Sequence, residues 1–249
     1  MKKVLLLLLV LISICCNNVS KKETITEVKK ENFPTELGKV FEKHGGIKAW
    51  RKNKTLSFNL EEEVHTADLY SRKTIVSTSN YSLGFDGKEV WLAEEIEGSF
   101  KRNPTFYYNL FFYFYAMPFV LADDGIIYEK VADLTFNGVQ YPGYKISYKA
   151  NVGTSPDDNY MMYYNSKTYQ MEWLGYTVTF KTKKPSNTYK IIRYNKWENV
   201  NGFVLPKQIT WYKKDENEVL KATPKIVDFT LPLLSTGEIS DAFFEKPVK

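Results

Sequence analysis

The stretch from Asn103 to Gly125 constrains the fold more than any other. It reads Asn-Pro-Thr-Phe-Tyr-Tyr-Asn-Leu-Phe-Phe-Tyr-Phe-Tyr-Ala-Met-Pro-Phe-Val-Leu-Ala-Asp-Asp-Gly. Asn103 is a helix cap, because its side chain accepts backbone N–H bonds. Pro104 then stands at the first helical position, where a missing N–H costs nothing. From Phe106 to Ala122 only Asn109 is fully polar, so a helix here has no face to give to water and must be surrounded. Pro118 is expected to kink or end its first part, and Asp123-Asp124-Gly125 to close the element as a turn. The run is close to the minimum of ~17 residues for a membrane span, but it carries tyrosines and a proline. A buried or cavity-lining helix is the expectation.

The chain of 249 residues suffices for one large β-rich domain. Aromatic residues make up 16% of it, which favours strands. Residues 1–16 have the form of a signal. Lys2-Lys3 precede an apolar run from Val4 to Ile14, too short to cross a bilayer, and Cys15-Cys16 follow. The arrangement resembles a bacterial lipoprotein signal, with Cys16 as the lipidated residue, or Cys15 in its place. Both cysteines lie there, so the remainder holds no disulfide and no thiol nucleophile. Loss of Lys2 and Lys3 takes the net charge from +5 to +3, too mild for a nucleic-acid partner. Residues 17–32 are rich in Lys and Glu and read as a flexible tether, which leaves 33–249 as a single domain.

Within that domain, Pro34 to Lys52 reads as helical. Leu37, Val40 and Phe41 share a face, Gly45-Gly46 stops the first helix, and Trp50 enters the core. His44 falls in the last turn, where the helix dipole favours it. From Thr55 the hydrophobic period becomes two, giving about ten or eleven antiparallel strands. Asp86-Gly87, Asn137-Gly138 and Asn201-Gly202 are hairpin turns. Pro206 marks an edge or a bulge, and Val219 to Leu231 is the last long strand. Arg72 is a candidate ion-pair partner for Asp68. The fold class is mainly β (α+β). A single curved antiparallel sheet forms a half-open barrel, with an N-terminal helix and the aromatic helix in its concave face.

The chemistry of a known enzyme class is hard to assemble. His44 and His65 are the only histidines, and His65 with Asp68 at i+3 on a strand points to opposite faces, so no metal site is expected. No glycine-rich phosphate loop and no nucleophile elbow occurs. No cofactor is expected. A hydrolase would need paired acids such as Glu95, Asp123 and Asp124.

Several strings resemble an uncharacterised lipoprotein family of the Bacteroidetes. They are His44-Gly45-Gly46 with Trp50, Asp68-Leu69 with Arg72, Gly84-Phe85-Asp86-Gly87 with Val90-Trp91, and Tyr115-Ala116-Met117-Pro118-Phe119. The architecture resembles the LolA-like and LppX-like periplasmic lipoprotein carriers. That resemblance implies a half-open barrel over an apolar cavity that holds acyl chains. The expectation is then a monomeric, non-enzymatic lipoprotein of the cell envelope, lipid-anchored to a membrane and facing the periplasm or the cell surface. It would bind a lipid, an acyl chain or another apolar ligand. The expected cavity lining is Trp91, Phe106, Leu110, Phe111, Phe114 and Met117, with Trp173 and Tyr176 facing them. The alternative is a surface lipoprotein that binds polysaccharide or peptide through exposed aromatics.

Overall fold

The computed structural model describes residues 33–148 and 158–248. The signal, the tether and the cysteine assignment lie outside the described residues. Phe33–Lys249 forms one compact unit. Helix α1 (Thr35–Lys43) buries Leu37, Val40 and Phe41 and leaves its charged residues to solvent. It stops where Gly45 and Gly46 take φ of 116° and 84°, and the Gly46 N–H bonds the Phe41 carbonyl at 2.8 Å. A Cβ on Gly45 would stand 2.7 Å from the Phe203 ring and 2.8 Å from the Gly202 carbonyl. Gly45→Ala is therefore expected to cost roughly 1–3 kcal/mol, and thermal unfolding reads it as a fall of several degrees. The short helix α2 (Ile47–Trp50) then lays Trp50 flat on Phe119, ring centroids 4.2 Å apart.

Five strands follow as a meander: β1 (Thr55–Leu60), β2 (Glu63–Asp68), β3 (Thr74–Ser77), β4 (Tyr81–Phe85) and β5 (Val90–Glu94). Beyond the aromatic stretch come β6 (Ile126–Phe136), β7 (Val139–Tyr148), β8 (Tyr160–Tyr164), β9 (Met171–Tyr176), β10 (Lys190–Val200), β11 (Phe203–Lys214) and β12 (Leu220–Asp228). A final strand, β13 (Thr230–Ser235), returns to pair with β1. The three expected hairpin turns form. Asp86 Oδ1 accepts the Lys88 and Glu89 N–H groups, and Asn137 and Asn201 take φ of 49° and 51°, each before a glycine with positive φ. Pro206 sits opposite Trp197, next to a bulge at Lys196.

The architecture is mainly β and antiparallel, as expected, and the described residues form thirteen strands where about ten or eleven are expected. The run 55–64 folds back at Glu61, whose φ is 53°, and the last long run is split. The ladder divides into a six-stranded sheet, β13-β1-β2-β3-β4-β5, and a seven-stranded sheet, β12-β11-β10-β9-β8-β7-β6. The chain passes from one sheet to the other at Phe229, between β12 and β13. The expected single sheet is thus continuous through the backbone at that corner, not through hydrogen bonds. It stays open at β5 and β6.

The aromatic stretch is buried but is not one helix. It breaks into α3 (Pro104–Tyr107), α4 (Leu110–Tyr115) and a 3-10 turn, Phe119–Ala122. Asn103 caps it as expected, its side chain accepting the Phe106 N–H at 3.0 Å. Phe, Tyr and Asn are middling helix formers, so packing decides the path. Broken helices leave carbonyls without partners, and side chains from outside the helices supply them. Tyr194 donates to the Phe114 carbonyl (3.0 Å), Tyr128 to Leu121 (2.7 Å) and Arg51 to Ala122 (3.0 Å). These bonds hold the stretch against the seven-stranded sheet and the end of α2.

His44 is fully buried and does not sit at a solvated helix end. Its Nδ1 lies 2.8 Å from the Val204 carbonyl and its Nε2 3.2 Å from the Met171 N–H. A carbonyl can only accept and an N–H can only donate, so the ring is neutral with its proton on Nδ1. Burial lowers its pKa to about 4, against the pull of the Val204 bond. It ties α1 to β11 and the start of β9, which replaces the expected role at the helix dipole.

Candidate ligand-binding cleft

A cleft of about 640 Å³ opens beside the aromatic stretch. Phe106, Leu110, Tyr113 and Phe114 form one wall. Phe85 and Val90, from the open edge of the six-stranded sheet, form the second. Tyr176 at the end of β9, with Val178 and Phe180 just beyond it, forms the third. Six apolar side chains among them, Phe85, Val90, Phe106, Leu110, Val178 and Phe180, remain only half-buried, as does Tyr113. Phe106 and Phe180 meet across the cleft with centroids 5.3 Å apart. Phe114 packs edge-on against Tyr176 at 5.2 Å.

The cleft has a polar end. Arg72 Nη2 donates to Asp123 Oδ2 at 2.6 Å, and its guanidinium lies over the Phe112 ring. Asp68 does not take part in this pair. Its Oδ1 closes its own turn by accepting from the N–H groups of Tyr70 and Ser71. Burial raises the Asp123 carboxyl, against the pull of Arg72 and Arg51. Tyr113, Tyr148 and Tyr160 line the same end. Asp158 is engaged by the Thr179 N–H at 2.8 Å and the Thr177 hydroxyl at 3.3 Å. Lys88, Glu89 and Lys183 stand exposed around the cleft.

Of the eight residues expected to line a cavity, Phe106, Leu110, Phe114 and Tyr176 border this cleft. Phe111 is buried against Tyr107 and His65, and Met117 is buried in the same core. Trp91 lies elsewhere, its Nε1 donating to the Phe244 carbonyl at 2.8 Å under the C-terminal turn. Trp173 lies in a separate small core with Tyr141, Tyr163 and Leu220, against Phe136 and Tyr212. Its strand neighbour Leu174 belongs to the main core, so the seven-stranded sheet is covered on both faces. Strand alternation alone could not tell which face meets the aromatic stretch.

The sequence reading missed a buried acid. Glu63 Oε2 accepts from His65 Nε2 (2.9 Å) and the Tyr107 hydroxyl (2.6 Å), and Oε1 from the Tyr81 hydroxyl (2.5 Å). Arg102 stands 3.6 Å away. Burial would raise the carboxyl, but the bonds from His65, Tyr107 and Tyr81 outweigh it and hold the pKa below the usual value. Glu63 clamps the start of the aromatic stretch to the six-stranded sheet. The alternation of Glu63, His65 and Ala67 on one face was the available signal.

A larger hollow of about 1,600 Å³ is bordered by both edge strands of the seven-stranded sheet, β6 and β12. Its lining carries Lys190, Lys213, Lys214 and Lys225, with Asp133 and Glu218. Lys225 covers the face of Trp211 at 3.9 Å, and Lys214 is paired with Glu218. Among the described residues no cluster of three His, Cys, Asp or Glu is placed to hold a metal ion, and no helix is long and apolar enough to cross a membrane.

A family model described as a family of unknown function (DUF6503) matches residues 2–228. No curated protein matches the sequence. Among solved structures, a LolA superfamily protein from Nitrosomonas europaea aligns at 10% identity and a TM-score of 0.42, over 83% of this chain and 96% of that one. A DUF1329 family protein from Desulfovibrio piger aligns at 12% identity and a TM-score of 0.41, over 85% and 96%. Both scores are below 0.5, so the role of the cleft follows from its own residues.

Proposed function

We propose, for a chain that belongs to the DUF6503 family of unknown function, that the cleft beside the aromatic stretch binds the apolar chain of a lipid or similar molecule without chemical conversion. The observation that carries this reading is the grouping of six half-buried apolar side chains around one cleft of about 640 Å³. A soluble domain gains by burying such a patch, and contiguous apolar surface of this kind marks a binding site. The volume falls within the ~300–1,000 Å³ usual for small-molecule sites. Covering the patch is worth on the order of 25 cal/mol per Å² removed from water. The signal-like residues 1–16 support a place in the cell envelope, held to a membrane by a lipid on Cys16.

The alternative, recognition of polysaccharide or peptide by exposed aromatics, finds few residues here. Trp50, Trp91, Trp173 and Trp211 are buried, and Tyr70, the most exposed large aromatic, has Lys54 over its ring at 4.3 Å. A hydrolase reading has Asp123 already engaged by Arg72, and Glu95 is not part of the cleft lining.

Leu110→Asp tests the proposal. Leu110 is half-buried and lines the cleft, so a carboxylate there spoils the apolar wall without opening the main core. Uptake of the neutral dye Nile red is expected to fall at least about tenfold, since burying an unpaired charge beside the dye is strongly disfavoured. The melting temperature is expected to stay close to that of the wild type. Unchanged dye uptake by a folded Leu110→Asp protein would contradict the proposal.

A further inference from the structure

We propose that the hydroxyls of Tyr113, Tyr148 and Tyr160 form the head-group end of the cleft and select an uncharged acceptor, an ester or amide carbonyl, over a charged head. The inference rests on the reading of the cleft as a site for an apolar chain. All three phenols line the cleft. Their rings are fixed by neighbours, Tyr113 edge-on to Phe112 at 5.3 Å and Tyr148 edge-on to Tyr160 at 6.2 Å. Other tyrosines nearby spend their hydroxyls on protein acceptors, Tyr107 on Glu63, Tyr128 on the Leu121 carbonyl and Tyr194 on the Phe114 carbonyl. Tyr113, Tyr148 and Tyr160 have no such acceptor among the described residues. All three residues are half-buried, with the ring packed and the polar tip left to the cleft. Three phenols at one end of the cleft can give their hydroxyls to the polar group of a ligand there.

The charges around them select among acceptors. An anionic head would meet the carboxylates of Asp123, Asp124 and Asp158, which with Glu89 outnumber the cations Arg72, Lys88 and Lys183 in the same lining. A cationic head would meet the Arg72 guanidinium, which is already paired with Asp123 at 2.6 Å. A neutral carbonyl meets neither cost and accepts from phenols directly. Burial pushes the pKa of each phenol up, so all three keep their protons and remain donors.

The test uses the full chain loaded with Nile red and compares displacement by methyl decanoate, decane, decanoate and decylamine. Methyl decanoate is expected to displace the dye at a concentration at least about tenfold below the other three, the discrimination of one or two buried hydrogen bonds. Replacing all three tyrosines by phenylalanine keeps the rings and removes the donors. That variant is expected to melt as the wild type does, because no protein hydrogen bond is lost, to bind decane unchanged, and to lose the ester preference. Should the triple variant fail to fold, Tyr148→Phe and Tyr160→Phe singly are each expected to lose about threefold of that preference. The proposal is overturned if a folded variant keeps the full preference, or if decanoate or decylamine displaces best. Displacement by decane with no preference for the ester would remove the head-group site and leave the apolar cleft standing. No dye uptake and no displacement by any of the four would remove the cleft reading, and this inference with it.

Discussion

Replacing Glu63 by alanine is expected to destabilise the protein by roughly 3–5 kcal/mol, the usual cost of breaking a buried, hydrogen-bonded charge network from one side. Three donors converge on the carboxylate, from His65, Tyr81 and Tyr107. Tyr107 belongs to α3 and the others to the six-stranded sheet. Alanine leaves the His65, Tyr81 and Tyr107 donors without their common acceptor. For a domain of this size the loss corresponds to a fall in melting temperature on the order of 10 °C. A fall below about 2 °C would show that the network contributes little.

The same residue predicts acid sensitivity. The folded pKa of Glu63 is depressed, so its stabilisation is present above the ordinary carboxylate value of 4.5 and is lost as pH falls through the folded value. His44 acts in the same direction by a different route. Its folded pKa is about 4 against 6.5 unfolded, so the unfolded chain takes up a proton first and stability declines as pH drops from 6.5 towards 4. At the low end the His44 contribution is about 3 kcal/mol. Denaturant titrations at steps across this range are expected to show the decline. In His44→Gln the part above pH 4.5 is expected to vanish.

Phe229→Ala is expected to cost a further roughly 3–5 kcal/mol, the range for truncating a large buried aromatic. Phe229 is 1% exposed and stands where the chain leaves one sheet for the other. Its ring lies 5.5 Å from Phe58 and 4.8 Å from Tyr115, and its N–H bonds the Lys207 carbonyl at 2.9 Å. It therefore packs a strand of the first sheet against the aromatic stretch from the corner itself. Leu231→Ala, two residues on and 75% exposed, is the control and is expected to change stability by less than roughly 0.5 kcal/mol. Equal effects in the two variants would show that the corner does not couple the sheets.

What could be read in the sequence was what a few adjacent residues decide. Asn103-Pro104 announced a helix start, and Asn137-Gly138 and Asn201-Gly202 announced hairpins. In each case the backbone conformation is set locally. The segmentation of the aromatic stretch was less legible, because residues of middling helix propensity follow their packing. Contacts across long separations were not legible at all. Glu63 meets Tyr107 across 44 positions, and Arg72 meets Asp123 across 51. The nearer acid, Asp68, was the natural guess and is used for a turn instead. Trp91 and Trp173 carried the right hydrophobicity but stand away from the cleft. Alternation shows that a side chain is buried and not which of two covered faces it belongs to. Phe106, Leu110, Phe114 and Tyr176 border the cleft because the aromatic stretch forms one of its walls and Tyr176 packs on Phe114.

The most direct test of an apolar-ligand cleft is native mass spectrometry of the purified protein, followed by solvent extraction of the same sample and addition of methyl decanoate. A single added mass per protein, present on purification and lost to the solvent or gained on addition of the ester, is the predicted result. A ligand-free mass both before and after the ester is added would contradict the account.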